Sequence, residues 1–366
     1  MTMLRLSLER FALLAIACLA TAAADAADTT RQWQIVPQGE RFELALREVT
    51  VATPARNQVV VRVRAVSLNR RDILMMEGRY GRGGTQANSV PLSDGAGEVV
   101  AVGADVTRFK VGDRVAGIFF EDWIDGDPSA ATLATARGGN AGGMLSEIVV
   151  TDADGLVSVP AHLSYEEAAT LPCVGVTAWV SLFKRGQLER GDFVLLEGTG
   201  GVSVFGLQLA AAAGAKAIIT SSSEAKLARA RELGAFGTVN YRTNPEWQRE
   251  VRALTGDSGV DHVLEVGGQD TLPRALQALA HGGHIALIGG LSGFASDVPV
   301  GALMGLNATA SGIYVGSRAD FEALNAFVSE HRLKPVVDKV FEFEDAPAAF
   351  AAMDTGDVFG KVVIRL

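Results

Sequence analysis

Between Phe193 and Ser203 the chain runs Phe-Val-Leu-Leu-Glu and then Gly198-Thr199-Gly200-Gly201-Val202-Ser203. A short apolar run of strand length meets a glycine turn, and the Ala-rich stretch Val202 to Ala213 that follows has helical length. A second strand pattern, Ala217-Ile218-Ile219-Thr220, completes a strand–helix–strand unit, whose two strands must lie parallel. A parallel sheet binds ligands at the carboxyl ends of its strands, where the strand order reverses. A pyrophosphate there needs backbone without Cβ in the way and a helix N-terminus whose free N–H groups face it. Gly198, Gly200 and Gly201 meet the first need and the helix opening at Gly201-Val202 meets the second. Ser203 stands where the G-x-G-x-x-G pattern has its third glycine, a position that tunes helix–strand packing. A glycine-rich turn without ligand has the same residues; the strand before and the full unit after favour a dinucleotide.

The end of the second strand bears on which dinucleotide. NAD sites place Asp or Glu there to hold the ribose 2′-hydroxyl. This chain has Thr220-Ser221-Ser222-Ser223, with Lys226 one turn into the next helix. Hydroxyls and an ammonium suit a 2′-phosphate, which a carboxylate would repel. Glu224 is read as a first-turn residue facing the helix dipole. Lys226 alone fits a solvated helix face equally well; together with Ser221 and Ser222 it points to NADP(H).

The same alternation continues. Strand patterns lie at 238–241, 261–266 and 284–288, helical ones at 224–233, 245–254 and 271–279, and Gly234 closes the helix before it. Before residue 150 the pattern is mostly β, as in the β-branched run Val59 to Val66 and the glycine-bounded Gly97 to Gly103. The stretch from Asp122 to Gly143 reads as a long loop. From Asp320 onward one helix and a final strand, Lys361 to Ile364, are expected.

With 366 residues the chain suits two domains. Its net charge of −9 argues against a general nucleic-acid binder. Two cysteines, Cys18 and Cys173, rule out both a disulfide framework and a site of several thiolates. Residues 1–26 have the layout of a signal peptide: Arg5 and Arg10, an apolar run from Phe11 to Ala22, and the small-x-small site Ala24-Asp25-Ala26. This places the mature chain in the periplasm or outside the cell, without stable membrane insertion. Two alternatives stand beside it: a lipid anchor on Cys18 after Ala15-Ile16-Ala17, and a misassigned start with a cytoplasmic protein. Export also conflicts with a cofactor kept in the cytoplasm.

Several segments together carry a family resemblance. They are Ser67-Leu68-Asn69-Arg70-Arg71-Asp72, Asp94-Gly95-Ala96-Gly97-Glu98-Val99-Val100, Gly112-Asp113-Arg114-Val115, Leu171-Pro172-Cys173 through Trp179, the glycine turn, Asn240-Tyr241, and Phe359-Gly360-Lys361-Val362-Val363. In this order they resemble the medium-chain dehydrogenase/reductase superfamily, in its zinc-free, quinone-oxidoreductase-like branch, from Gln32 to Leu366. The resemblance implies an α/β fold: a GroES-like, mostly β substrate domain from residues 30–155 and 317–366, and a Rossmann doubly wound parallel-sheet domain from 156–316. It implies a homodimer and a small-molecule substrate in the interdomain cleft. It places Thr177 near the nicotinamide, Tyr241 near the 2′-phosphate, and Ile288, Ile313 and Val315 among the late cofactor contacts. Thr177 fits equally a helix residue in the domain hinge, and Tyr241 a strand residue packing on the sheet edge.

Zinc-dependent members have Cys where Asn69 stands and His-Glu where Ser93-Asp94 stand. With only Cys173 left in a ligand position, no metal is expected, since a catalytic zinc takes about three protein ligands. Asn69 and Tyr80 are then the candidate hydrogen-bond donors to substrate, and Asp72 a proton relay or a turn carboxylate. Arg70 and Arg71 are read as solvated and Cys173 as buried and inert. The function expected is hydride transfer from NADPH to a quinone, enone or related carbonyl. A zinc-free alcohol or carbonyl dehydrogenase and a non-catalytic dinucleotide-binding protein are the alternatives.

Overall fold

A computed structural model describes residues 29–80, 85–294 and 300–366. The leader with its processing site, and Cys18, lie outside the described residues. Among the described residues no helix is long and apolar enough to cross a membrane.

An antiparallel hairpin of β1 (Thr29–Gln38) and β2 (Arg41–Thr50) leads in, turned at Gly39 with φ +63°. Then come β3 (Gln58–Ser67), β4 (Asp94–Val102), β5 (Arg114–Gly117), β6 (Ile148–Asp152) and β7 (Leu156–Ser158). The next six strands are β8 (Phe193–Leu196), β9 (Lys216–Ser221), β10 (Gly237–Asn240), β11 (Val260–Glu265), β12 (Leu279–Leu287) and β13 (Thr309–Gly312). They form one parallel sheet in the order β10-β9-β8-β11-β12-β13. This is the doubly wound Rossmann order, and it reverses between β8 and β11, beside the glycine turn. Along β8, Val194 and Leu196 join the core on one side of the sheet and Leu195 the core on the other. That two-sided burial is why the segment is apolar throughout rather than alternating.

The chain then returns to the first domain through β14 (Val337–Glu342) and β15 (Lys361–Arg365). The GroES-like sheet runs β14-β15-β3-β4-β5-β7, with β6 also on β3. The register matters for function. Ser67, the last residue of β3, lies opposite Asp94 on β4 on one side and Val363 on β15 on the other. Three distant stretches, 67–72, 93–94 and 361, are thereby gathered at one end of this sheet. A single hydrophobic core joins the domains: Phe119 and Phe120 belong to the same buried cluster as Val176, Ile313, Val315 and Leu324.

Three expectations need correcting. The C-terminal part holds two helices, Arg318–Glu330 and Ala346–Asp354, and the strand β14 besides the last one. The second helix is hidden in sequence by Pro347 in its first turn, where proline is tolerated. The stretch 122–143 contains a short helix, Ala130–Leu133, and is pinned by the wholly buried Arg137. That guanidinium donates to Ile118 O and Thr151 Oγ1 and pairs with Glu121 at 2.8 Å. Finally, Ser203 does not set the helix–strand approach. Its hydroxyl donates to Glu197 O at 2.6 Å. Close approach occurs one turn later at Gly206, where a Cβ would come within 3.0 Å of Leu264 and 3.1 Å of Leu196.

Candidate functional site

The glycine turn caps the helix Gly201–Ala213, with Gly200 as its N-cap. Gly198 has φ +71°, a conformation that glycine adopts at little cost. Its N–H donates to Thr220 Oγ1 at 3.1 Å, which ties the turn to the end of β9. The Thr199 carbonyl accepts from Gly360 N at 3.1 Å, which ties it to the other domain. A Cβ built on Gly198 or Gly200 would meet nothing within 4 Å, so both line open space. A Cβ on Gly201 would strike Lys361 Cδ at 2.8 Å and Val174 Cγ1 at 3.0 Å. Gly198 and Gly200 therefore leave room for a ligand, while Gly201 lets two protein elements meet. An open glycine cradle over a helix N-terminus fits a dinucleotide pyrophosphate.

At the end of β9, Ser221 is buried and its carbonyl accepts from Tyr241 N at 3.1 Å. Ser222 is partly exposed and Tyr241 exposed, beyond the end of β10. Glu224 turns away and accepts from Asn240 Nδ2 at 2.6 Å, which leaves the strand end without a free carboxylate of its own. Lys226 Nζ pairs with Asp357 at 2.9 Å. Past β12 and β13 the remaining positions line up: Ile288 is half-buried, and Ile313 N donates to Leu287 O at 2.9 Å. Val315 is buried with φ +57°, a strained conformation for a β-branched residue. Thr177 is buried at the start of the helix Val176–Trp179, and its carbonyl accepts from Ser181 Oγ. Val202 is half-buried against the core.

Beneath the turn lies a pair that sequence reasoning missed. Glu197 directly follows β8, Glu265 ends β11, and both accept the N–H of Gly267, at 3.4 and 3.0 Å. Burial, then the neighbouring Glu265, pushes the Glu197 carboxyl well above the usual range.

The second half of the site is polar and buried. Asn69 caps the helix Arg70–Met76, and its N–H donates to Asp72 Oδ2 at 2.7 Å. Lys361 Nζ donates to Leu68 O and, at 2.6 Å, to Asn69 Oδ1, and it stands 3.6 Å from Asp94 Oδ2. Asp94 also accepts from Ser93 Oγ at 2.7 Å and from Cys173 N at 3.3 Å. Asn69 Nδ2 and Asp72 Oδ1 are buried without a partner. An amide held by its oxygen keeps an unused donor at its nitrogen. Burial pushes Asp72 up to about 6. Burial also raises the Cys173 thiol, with Asp94 adding to the effect, so it is a poor thiolate.

Arg71 is not solvated: it is buried, with its guanidinium 4.5 Å from the Phe119 ring centre and 5.0 Å from that of Tyr80. The helix periodicity of a seven-residue segment cannot show which of two arginines turns inward. Arg70, in contrast, reaches Asp354 at the surface. Tyr80 OH lies 3.0 Å from Tyr314 OH, a contact between the two domains, and burial raises its phenol further. Asn69, Asp72 and Lys361 thus form one group, and Tyr80 joins Tyr314 between the domains. Lys361 and Tyr314 carried no role from sequence, because their partners are more than two hundred residues away.

Residues 55–161 match the alcohol dehydrogenase GroES-like domain and residues 201–330 the zinc-binding dehydrogenase family. A zinc-type alcohol dehydrogenase-like protein of Schizosaccharomyces pombe is 41% identical over 315 residues, spanning 84% of this chain and 91% of the relative. The chain belongs to the medium-chain dehydrogenase/reductase superfamily. This member is also 34% identical, over 271 residues, to a quinone oxidoreductase of Pseudomonas aeruginosa, covering 74% of the chain and 76% of the relative. A candidate alcohol dehydrogenase of Sinorhizobium meliloti 1021 superposes with a TM-score of 0.87 at 44% identity, over 92% of this chain and 99% of that one. Oxidoreductase chemistry on a small molecule, with a bound dinucleotide, is what this superfamily membership supports for the dehydrogenase/reductase described here.

The metal implied by some relatives' names can be tested against the donors present. Among the described residues no three His, Cys, Asp or Glu side chains converge to hold a metal ion. In the gathered cluster the acceptors Asn69 Oδ1 and Asp94 Oδ2 face the ammonium of Lys361. An amide, one carboxylate, one proton-bearing thiol and a cation in their midst do not fit a zinc site.

Proposed function

We propose that this protein is a zinc-independent, NADP(H)-dependent oxidoreductase that reduces a quinone, an enone or a related conjugated carbonyl compound. The observation that carries the proposal is the Asn69–Lys361–Asp94 cluster. It holds an unpartnered hydrogen-bond donor, Asn69 Nδ2, at the position where the resemblance implies a metal ligand in zinc-dependent relatives. The bound dinucleotide would supply the hydride. The chain's residues supply orientation and electrostatics. Lys361 fixes the amide by its oxygen and so presents its nitrogen. That nitrogen can donate to the carbonyl oxygen of a substrate as negative charge gathers there. Conjugated acceptors need less polarisation than simple carbonyls, so an amide suffices where a metal would otherwise act. Asp72, raised to about 6 and adjacent to this amide, can hold or release a proton near neutral pH.

The NADP(H) preference rests on Ser221, Ser222 and Lys226, and on Glu224 being engaged by Asn240. Steady-state rates with NADPH and NADH over a panel of quinones, enones, alcohols and simple aldehydes test the proposal. Turnover with NADPH on conjugated acceptors, and much slower turnover with NADH, is expected. Tight NADPH binding with no turnover on any acceptor would leave a dinucleotide-binding protein instead.

A further inference from the structure

Lys226, the one cation at the end of β9 among the residues assigned above to the 2′-phosphate, is already paired. Its side chain is mostly buried, and its ammonium lies 2.9 Å from Asp357 Oδ1. Asp357 belongs to the other domain, on the loop that leads into β15, and its own side chain is 83% exposed. The loop is fixed on both sides of it. Asp357 N donates to Thr355 Oγ1 at 3.2 Å, and Lys339 Nζ donates to Asp357 O at 3.4 Å. Phe359 N donates to Asp338 Oδ2 at 3.2 Å, and Arg229, which pairs with Asp338 at 2.8 Å, lies over the Phe359 ring. One residue on, Gly360 N reaches the Thr199 carbonyl in the glycine turn. An exposed carboxylate on an anchored loop is thus aimed at the Lys226 ammonium, at the end of β9.

We propose that Asp357 is a specificity-determining residue: its carboxylate stands in for the cofactor's 2′-phosphate on Lys226 and must be displaced for the phosphorylated dinucleotide to bind. The inference rests on the NADP(H) reading above and adds to it a built-in competitor. A carboxylate oxygen and a phosphate oxygen make the same charge-assisted contact with an ammonium. Both cannot hold Lys226 without two anions in contact, which costs binding energy. A dinucleotide with a bare 2′-hydroxyl meets no such competition. Asp357 therefore lowers affinity for the phosphorylated form alone, and narrows a preference that Lys226 creates. The contact spans the two domains, so binding of a 2′-phosphate also releases one of their links.

The test is isothermal titration of the full chain with adenosine 2′,5′-bisphosphate and with 5′-AMP. Wild type, Lys226→Ala, Asp357→Asn and the double variant are compared, with Glu330→Gln as a remote control for net charge. Asp357→Asn is expected to bind the bisphosphate about three- to tenfold more tightly, the scale of removing one exposed ion pair plus one repulsion. Affinity for 5′-AMP should not move, and the gain should vanish in the double variant and be absent in Glu330→Gln. A bisphosphate affinity unchanged by Asp357→Asn, or a gain shared with 5′-AMP or with Glu330→Gln, overturns the role of Asp357. If wild type and Lys226→Ala both bind the two ligands alike, the NADP(H) reading itself has failed, and this proposal with it.

Discussion

Lys361 Nζ donates to Asn69 Oδ1 at 2.6 Å across 292 residues of sequence, and so joins the connection after β3 to the last strand of the chain. The bond holds both groups in a pocket that also contains the fully buried Asp94. Removing the ammonium strands a buried carboxylate. Lys361→Met should therefore destabilise the fold by about 3–5 kcal/mol, as when one partner of a buried pair is lost. Adding Asp94→Asn should recover much of that, which paired urea melts of the single and double variants would check. No recovery would mean the two charges do not compensate one another.

Gly200→Ala separates folding from binding. Gly200 has φ −80°, which alanine accepts, and its added Cβ would meet no protein atom within 4 Å. The variant should melt within a degree or two of wild type yet bind NADPH at least about tenfold more weakly, because the methyl occupies the ligand's approach. Gly201→Ala should do the reverse and lose stability, since its Cβ would strike Lys361 and Val174. Thermal melts with and without NADPH read both outcomes.

Ser222→Ala with Lys226→Ala should weaken NADPH far more than NADH, by about tenfold for one lost charge-assisted contact. Equal losses in fluorescence titrations with the two cofactors would remove the assignment of the 2′-phosphate site.

Asp72 sets a pH dependence of stability. Its folded value of about 6 lies above the ordinary 3.8. Below the ordinary value both states hold the proton, and between the two values only the folded state holds it. The folded state is therefore favoured at low pH, and this contribution is lost as pH rises from about 4 to 6, with no further change above. Asp72→Asn should flatten that part of the profile in urea melts between pH 4 and 7. An unchanged slope would show that Asp72 ionises without cost.

His284 acts in the opposite sense. Burial, with His262 and Arg185 nearby, pushes it down to about 4, and neither ring nitrogen has a partner. Its neutral form is the folded one. Stability is therefore whole above about 6.5 and is lost as pH falls toward 4. His284→Leu should keep neutral-pH stability and blunt the acid loss, as measured by melting temperature at pH 5 and pH 7.

Much of this was legible in the sequence. The strand–turn–helix at Gly198 follows from local period and glycine spacing, because a parallel strand buried on both faces must be apolar throughout. Serine at 221 and 222, without a strand-end acid, is likewise a local signal. What escaped depends on contacts between distant residues. Nothing near Lys361 says that it is buried, since its partners Asn69 and Asp94 arrive only when β15 pairs with β3. Arg71 and Arg70 are indistinguishable until the helix Arg70–Met76 docks and turns one toward Phe119 and the other toward Asp354. Asp357 looks like an ordinary loop acid until its loop meets Lys226. The strand β14 and the helix Ala346–Asp354 were missed because their apolar patterns are short and the helix opens on proline.

Zinc independence is decided by following NADPH consumption with a quinone or enone after exhaustive dialysis against a chelator. Protein with no stoichiometric zinc should turn over undiminished. Activity lost on chelation and restored by added zinc would show instead that a metal takes part in the reaction.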